Sequence, residues 1–229
     1  MAENPGTFVY EKTLKPGYRM PLLSRLNLDN LLNRPLGGLV ARAAFPTRIT
    51  PNQLTYTSFF LTLAGAACFF LGASWRLLAA GALLQVVGQV FDYADGMLAR
   101  ARGQSSDFGA ALDLMFDRIG DVLLYGSVLA AHYQQSHDLT FTVAGLAGLA
   151  VFNLQVALYY VVENYKKARQ TGMAGEARGL ISWLIVAATL ARRLDLLIWM
   201  LIVVPVLNVL FRVVHFHWLG YRRGRTPAA

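Results

Sequence analysis

One cysteine, few charges and no early apolar core set the first limits on this 229-residue chain. Cys68 has no second cysteine to pair with, so an intrachain disulfide is excluded and cysteine usage does not report a redox compartment. Lying within an apolar run, it reads as a small buried hydrophobe. The first 45 residues lack the apolar core of roughly 7–15 residues that a secretory signal requires and are charged throughout. No signal peptide is expected, and the N-terminus is expected to stay in the cytoplasm. Basic residues interleaved with aromatics are also missing, which argues against nucleic acid as a partner. Only 15% of the residues are charged and 55% are hydrophobic, with mean hydropathy +0.42. Together with apolar runs able to cross a hydrocarbon core of roughly 30 Å, this marks an all-α polytopic membrane protein.

Hydropathy places six candidate spans near 53–73, 77–99, 107–132, 140–163, 179–191 and 196–217, the short fifth beginning within 173–178 or sitting partly in protein. Sixteen of the 21 Lys and Arg residues then fall in segments on one side, which the positive-inside rule assigns to the cytoplasm together with both termini. The net charge of +8 is largely this topology, and it suits an anionic leaflet. Three regions follow: a cytoplasmic N-terminal segment, 1–49; a six-helix membrane domain, 50–219; and a basic cytoplasmic tail, 220–229. Within 15–45, leucines such as Leu28, Leu32, Leu36 and Leu39 alternate with Arg25, Asp29, Arg34 and Arg42, the pattern of an amphipathic helix resting on headgroups. Thr50-Pro51-Asn52 reads as the start of the first span, and Ser105, Ser106 and Asp107 as the cap of the third. The short stretch from Arg100 to Ser106 makes the second and third spans an antiparallel hairpin.

Against this apolar background, four aspartates stand inside two helices, in the spacing Asp92-x2-Asp95-Gly96-x2-Ala99-Arg100-x8-Gly109-x3-Asp113-x3-Asp117. An ionised carboxylate at the centre of a membrane helix costs about 2.5–3.5 kcal/mol, so four cost roughly 10 kcal/mol unless something offsets them. A divalent metal would. Asp92 and Asp95 are three residues apart and Asp113 and Asp117 four, so each pair shares a helix face, and antiparallel neighbours can close the carboxylates around one or two cations.

This pattern resembles the signature of the CDP-alcohol phosphotransferase family at every fixed position and spacing. The six-span layout, the amphipathic N-terminal segment and the Thr50-Pro51-Asn52 opening resemble that family too. The resemblance implies transfer of a substituted phosphoryl group from a CDP-linked donor, most often CDP-diacylglycerol, to a small polar alcohol with release of CMP. It implies Mg²⁺ or Mn²⁺ held by Asp92, Asp95, Asp113 and Asp117, with Asp117 also the general base. It places the cytidine and diphosphate at Gly96, Ala99, Arg100 and Gly109, and suggests a homodimer in a prokaryotic inner membrane with the active site facing the cytoplasm. The physical logic agrees: glycines let a nucleotide approach backbone, and a guanidinium at the mouth suits a diphosphate.

For the acceptor, Asp117-Arg118-x2-Asp121 and Leu32-Asn33-Arg34-Pro35 resemble the inositol-phosphate-using branches of the family. Those branches carry an acidic residue after the fourth span, where this chain reads Tyr165-Lys166-Lys167-Ala168-Arg169-Gln170. Lys166, Lys167 and Arg169 are candidates to grip a phosphorylated acceptor, or are topology determinants. Arg118, roughly 16 Å into its span, needs a carboxylate or phosphate partner. Gln85 and Gln89 continue the polar face of Asp92 and are expected to bond a neighbouring helix. His215 and His217 read as interfacial anchors, and His132 and His137 carry no assigned role. Two alternatives stay open: a soluble CDP-inositol donor, and a cation transporter or channel whose pathway the acidic residues line.

Overall fold

The computed structural model describes Phe8 and residues 29–72, 74–166 and 183–223, and every regular element among them is helical. A π-helical turn, Asp29–Asn33, runs into α1 (Arg34–Ala44). There follow α2 (Pro51–Leu71), α3 (Trp75–Arg102), α4 (Asp107–Ser136), α5 (Leu139–Lys166), α6 (183–190) and α7 (Leu194–Arg223).

The helix ends are written locally. Thr50 forms a reciprocal capping box with Gln53, its Oγ1 accepting from the Gln53 amide at 3.3 Å while Gln53 Oε1 accepts from the Thr50 amide at 2.9 Å. Pro51, with no amide hydrogen to leave unpaired, takes the first helical position. Ser106 caps α4 by accepting from the Gly109 amide at 3.0 Å. Between these helices α3 ends at Gly103, whose φ of 65° lies in the left-handed region open to glycine, and the chain reverses into the expected hairpin.

Helices α2 to α7 overlie the six expected segments, and among the described residues length and apolar composition alone qualify Pro51–Leu71, Trp75–Arg102 and Leu194–Phe211 to cross a bilayer but leave out α4. The reason is chemical. α4 is long enough, but Asp113, Asp117, Arg118 and Asp121 interrupt its apolar face. Leu139–Gln155 of α5 is an apolar helical stretch, and the expected earlier start of the fifth span lies outside the described residues. α7 runs on to Arg223, so the first residues of the expected tail are helical.

α2 and α3 cross closely: a Cβ on Gly65 would lie 2.9 Å from the Gly81 carbonyl oxygen. α4 packs beside them, while α5, α6 and α7 close the other flank around Tyr125, Phe152, Ile185 and Leu197. In α1 the leucines and the protein-facing residues lie on different faces. Its buried face is Gly37, Gly38, Ala41 and Ala44, packed on α3, while Leu36 and Leu39 point outward. Small residues win that face because the backbones nearly touch, a Cβ on Gly37 lying 2.7 Å from Tyr93 Cβ. Residues 15–28 of the expected segment lie outside the described residues.

Arg102, read from sequence as a topology charge, has a structural task. Its Nη1 donates to the Ile49 carbonyl at 2.6 Å and its Nη2 approaches those of Ala44, Phe45 and Thr47 at 2.7–2.9 Å. One planar guanidinium thus gathers the carbonyls between α1 and α2 and fixes them to the end of α3.

Candidate active site

The hairpin geometry brings Asp92 of α3 and Asp113 and Asp117 of α4 together, one carboxylate oxygen from each lying within 4.8 Å of the others. All three are half-buried. At an effective dielectric constant of about 20, two unit charges 4.8 Å apart repel by about 3.5 kcal/mol. Three hard oxygen donors on two facing helices fit a small divalent cation that keeps other coordination positions for water or phosphate, which is the chemistry of Mg²⁺ or Mn²⁺.

Asp95 sits behind this trio, 6% exposed, and accepts a 2.6 Å hydrogen bond from Thr55 Oγ1. It is still near enough to Asp113 and Asp117 for their charges to act on it. Gln89 Nε2 donates to Asp92 Oδ2 at 3.0 Å, orienting that carboxylate from one turn below. This bond stays within α3 rather than reaching a neighbouring helix as expected. Thr55 was not singled out in the sequence. The signal was present, since Thr55, Ser58 and Thr62 fall on one face of α2 at helical spacing.

Asp92, Asp113, Asp117, Gln89 and Thr55 line a pocket of about 380 Å³, its open mouth included, that also reaches Ser58, Gln85 and Asp121. Phe59 of α2 and Phe116 of α4 stack at 4.2 Å with an 11° interplanar angle on its wall, joining the two helices with an apolar contact.

Arg100 folds back along α3 until its guanidinium covers Gly96, where a Cβ would lie 3.1 Å from Nη1. The missing side chain at Gly96 therefore makes room for this arginine as well as thinning the helix. Gly109 has a similar neighbourhood: a Cβ there would meet Ser106 Oγ at 3.2 Å and Asn52 Oδ1 at 3.4 Å, so α4 starts close against α2. Ala99 is half-buried on the carboxylate side of α3.

Arg118 finds the carboxylate its depth requires in Asp121, at 3.0 Å one helical turn along. The guanidinium Nε and Nη1 are buried with no hydrogen-bond partner. Asp121, 5% exposed, lies at the deep end of the pocket. Lys166 is the last residue of α5, whereas Lys167 and Arg169 lie outside the described residues.

The family described as CDP-alcohol phosphatidyltransferase matches residues 48–218. The chain is 44% identical over 94 residues to an archaetidylinositol phosphate synthase of Pyrococcus horikoshii, covering 41% of this chain and 47% of that protein. It is 33% identical over 140 residues to a phosphatidylinositol phosphate synthase of Corynebacterium glutamicum, covering 61% and 57%. A bifunctional IPC transferase and DIPP synthase of Aquifex aeolicus is 32% identical over 144 residues, covering 61% of this chain and 31% of the relative. The matched regions thus span between about a third and somewhat over half of these curated relatives. Among solved structures, the apo crystal structure of Mycobacterium tuberculosis phosphatidylinositol phosphate synthase superposes with a TM-score of 0.63 at 27% identity. It covers 79% of this chain and 95% of that one.

Proposed function

The chain belongs to the CDP-alcohol phosphatidyltransferase family, and from that premise we propose that it is an integral membrane enzyme moving a phosphatidyl-type group from CDP-diacylglycerol to a polar alcohol. The observation that carries the reading is the gathering of Asp92, Asp113 and Asp117 within 4.8 Å, with Asp95 anchored behind them. We assign all four as the metal set, the first three by proximity and Asp95 by the family spacing. A bound Mg²⁺ or Mn²⁺ supplies charge neutralisation at the diphosphate and alignment of the acceptor.

In the reaction the acceptor hydroxyl oxygen forms a bond to the lipid-bearing phosphorus. The bond from that phosphorus to the oxygen bridging to CMP breaks, and CMP leaves with the electron pair. Asp117 takes the hydroxyl proton. Arg100, resting on Gly96, contacts the diphosphate, and Gly96 and Gly109 border the cytidine. Similarity to synthases named for phosphatidylinositol phosphate and archaetidylinositol phosphate favours a phosphorylated inositol as acceptor. Asp121, which lines the pocket, its ion-pair partner Arg118, and Lys166, Lys167 and Arg169 are the acceptor-side candidates. Six crossings, a cytoplasmic mouth, a prokaryotic inner membrane and a homodimer complete the reading.

Family membership supports a nucleotide site over a cation pathway. The likeness to the bifunctional IPC transferase and DIPP synthase favours, as a second reading, a water-soluble CDP-inositol donor. The test is Mg²⁺- or Mn²⁺-dependent CMP release by purified protein, with CDP-diacylglycerol or CDP-inositol, against inositol phosphate, glycerol phosphate, serine, inositol and ethanolamine. Release from CDP-diacylglycerol with one acceptor names the product. Release only from CDP-inositol selects the second reading, and silence with both donors refutes transfer.

A further inference from the structure

The pocket continues past the metal carboxylates to hydroxyl and amide groups that have no task in the transfer described so far. Thr62 lies about two helical turns beyond Thr55 along α2, Gln85 about two turns before Asp92 along α3, and Asp121 one turn beyond Asp117 along α4. α3 runs antiparallel to α2, since Thr55 meets Asp95 and Gly65 meets Gly81, so these steps lead the same way. Ser58, Thr62, Gln85, Gly120 and Asp121 together line that end of the pocket. Two glycines keep it open. A Cβ on Gly88 would lie 3.2 Å from the Ser58 carbonyl oxygen and 3.3 Å from Thr62 Oγ1, and one on Gly120 would lie 3.2 Å from Thr62 Cγ2.

Gln85 decides what this end of the pocket can take. It is 8% exposed, and its Oε1 is buried with no hydrogen-bond partner. An unpaired buried carbonyl oxygen is unfavourable, and only a donor can satisfy it. Asp121 is an acceptor as well, its charge matched by Arg118 at 3.0 Å. Ser58 and Thr62 each carry a hydroxyl that can donate or accept. An ionised phosphate and a lipid ester carbonyl bring acceptors only, so neither answers Gln85. An ammonium group donates, but it would leave its charge in a layer whose carboxylate is already paired. Hydroxyl groups both donate and accept, and several on one small molecule match the whole set.

We propose that Gln85, with Ser58 and Thr62, forms a hydroxyl-recognising subsite that holds an uncharged polyol portion of the acceptor beside the metal carboxylates. This rests on the CDP-alcohol phosphotransferase reading and extends it from the reaction to the class of acceptor, polyhydroxylated rather than amino alcohol.

The experiment uses full-length protein in lipid-detergent micelles. KM and kcat are measured for inositol phosphate, its singly deoxygenated analogues, glycerol phosphate, serine and ethanolamine, beside calorimetric affinities for CDP and Mn²⁺. The variants are Gln85→Met, Ser58→Ala, Thr62→Val and the control Leu83→Ala, whose side chain is on the outside of α3. Gln85→Met keeps an unbranched side chain and removes both polar atoms. It should raise the polyol KM about five- to hundred-fold with CDP and Mn²⁺ affinities unchanged. Ser58→Ala and Thr62→Val raise the same KM by smaller factors, and Leu83→Ala alters no kinetic value. One deoxygenated analogue should lose a similar factor in the parent and nothing further in Gln85→Met, which identifies the hydroxyl that Gln85 receives. Gln85→Met should also be at least as stable as the parent in thermal unfolding, because an unpaired buried carbonyl is gone; a purely structural glutamine would lose stability instead.

An unchanged polyol KM in active Gln85→Met means that this end of the pocket holds water only, and overturns the subsite. So does a preference for serine or ethanolamine, or a weakened Mn²⁺ affinity with the polyol KM kept. Parent protein that releases no CMP with any donor or acceptor overturns the underlying reading instead. Calorimetric binding of inositol then decides the subsite: binding to the parent that weakens in Gln85→Met upholds it, and no binding to the parent overturns it.

Discussion

Replacing Thr55 by valine removes one hydroxyl and leaves a side chain of similar shape, and the consequence is expected at the metal site. Thr55 Oγ1 is 2.6 Å from Asp95 Oδ2, and Asp95 is 6% exposed, so water is poorly placed to take over the lost bond. A hydrogen bond to a charged group is worth about 1.5–3 kcal/mol. Partners that orient metal-ligating carboxylates typically change metal affinity by about 10- to 100-fold when removed. At room temperature that corresponds to about 1.4–2.7 kcal/mol, consistent with the value of the single bond. Thr55→Val should therefore raise the Mn²⁺ concentration for half-maximal CMP release by about 10- to 100-fold, with Thr55→Ser close to the parent. Mn²⁺ titration followed by paramagnetic resonance separates binding from turnover. An unchanged Mn²⁺ affinity in a folded, active Thr55→Val protein would refute the assignment of Asp95 to the metal set.

Asp113→Asn is expected to abolish Mn²⁺ binding and CMP release in protein that still folds in micelles. Asp117→Asn should keep CDP binding while lowering transfer about 10²- to 10⁴-fold, the usual range for a general base; CDP calorimetry beside CMP release checks both. Arg102→Lys replaces a planar fork that reaches four carbonyls with a single ammonium group, and should lower stability by about 1–3 kcal/mol, read in thermal unfolding. Gly65→Ala puts a methyl group 2.9 Å from the Gly81 carbonyl oxygen, backbone that cannot simply swing aside, and should cost about 1–3 kcal/mol in the same assay. Full stability in that variant would show that α2 and α3 can separate without loss.

Much of the site was legible along the chain because its grammar is local. Three- and four-residue spacings put aspartates on single helix faces, the Gly103 turn makes their helices neighbours, and the Thr50 and Ser106 caps set where α2 and α4 begin. Composition alone was less able to count crossings, since the charges that build the site are the ones that lower the hydropathy of α4. The leucine pattern of the N-terminal helix identified an amphipathic element, while its opposite face, set against α3, is glycine and alanine because close approach of the two backbones leaves no room for bulk.

The sequence by itself determined the helical class, the helix starts, the reversal between α3 and α4, and the family through the aspartate, glycine and arginine spacing. Only the tertiary structure decided that Thr55 serves Asp95, that Arg102 binds the carbonyls after α1, and that Asn33 meets Trp183. These partners are separated by 40, 53–58 and 150 residues. Helix spacing and capping are set within about four residues, by the geometry of one turn. Which faces meet is set by packing between helices, where the absence of a single methyl at Gly37 or Gly65 decides how near two backbones can come.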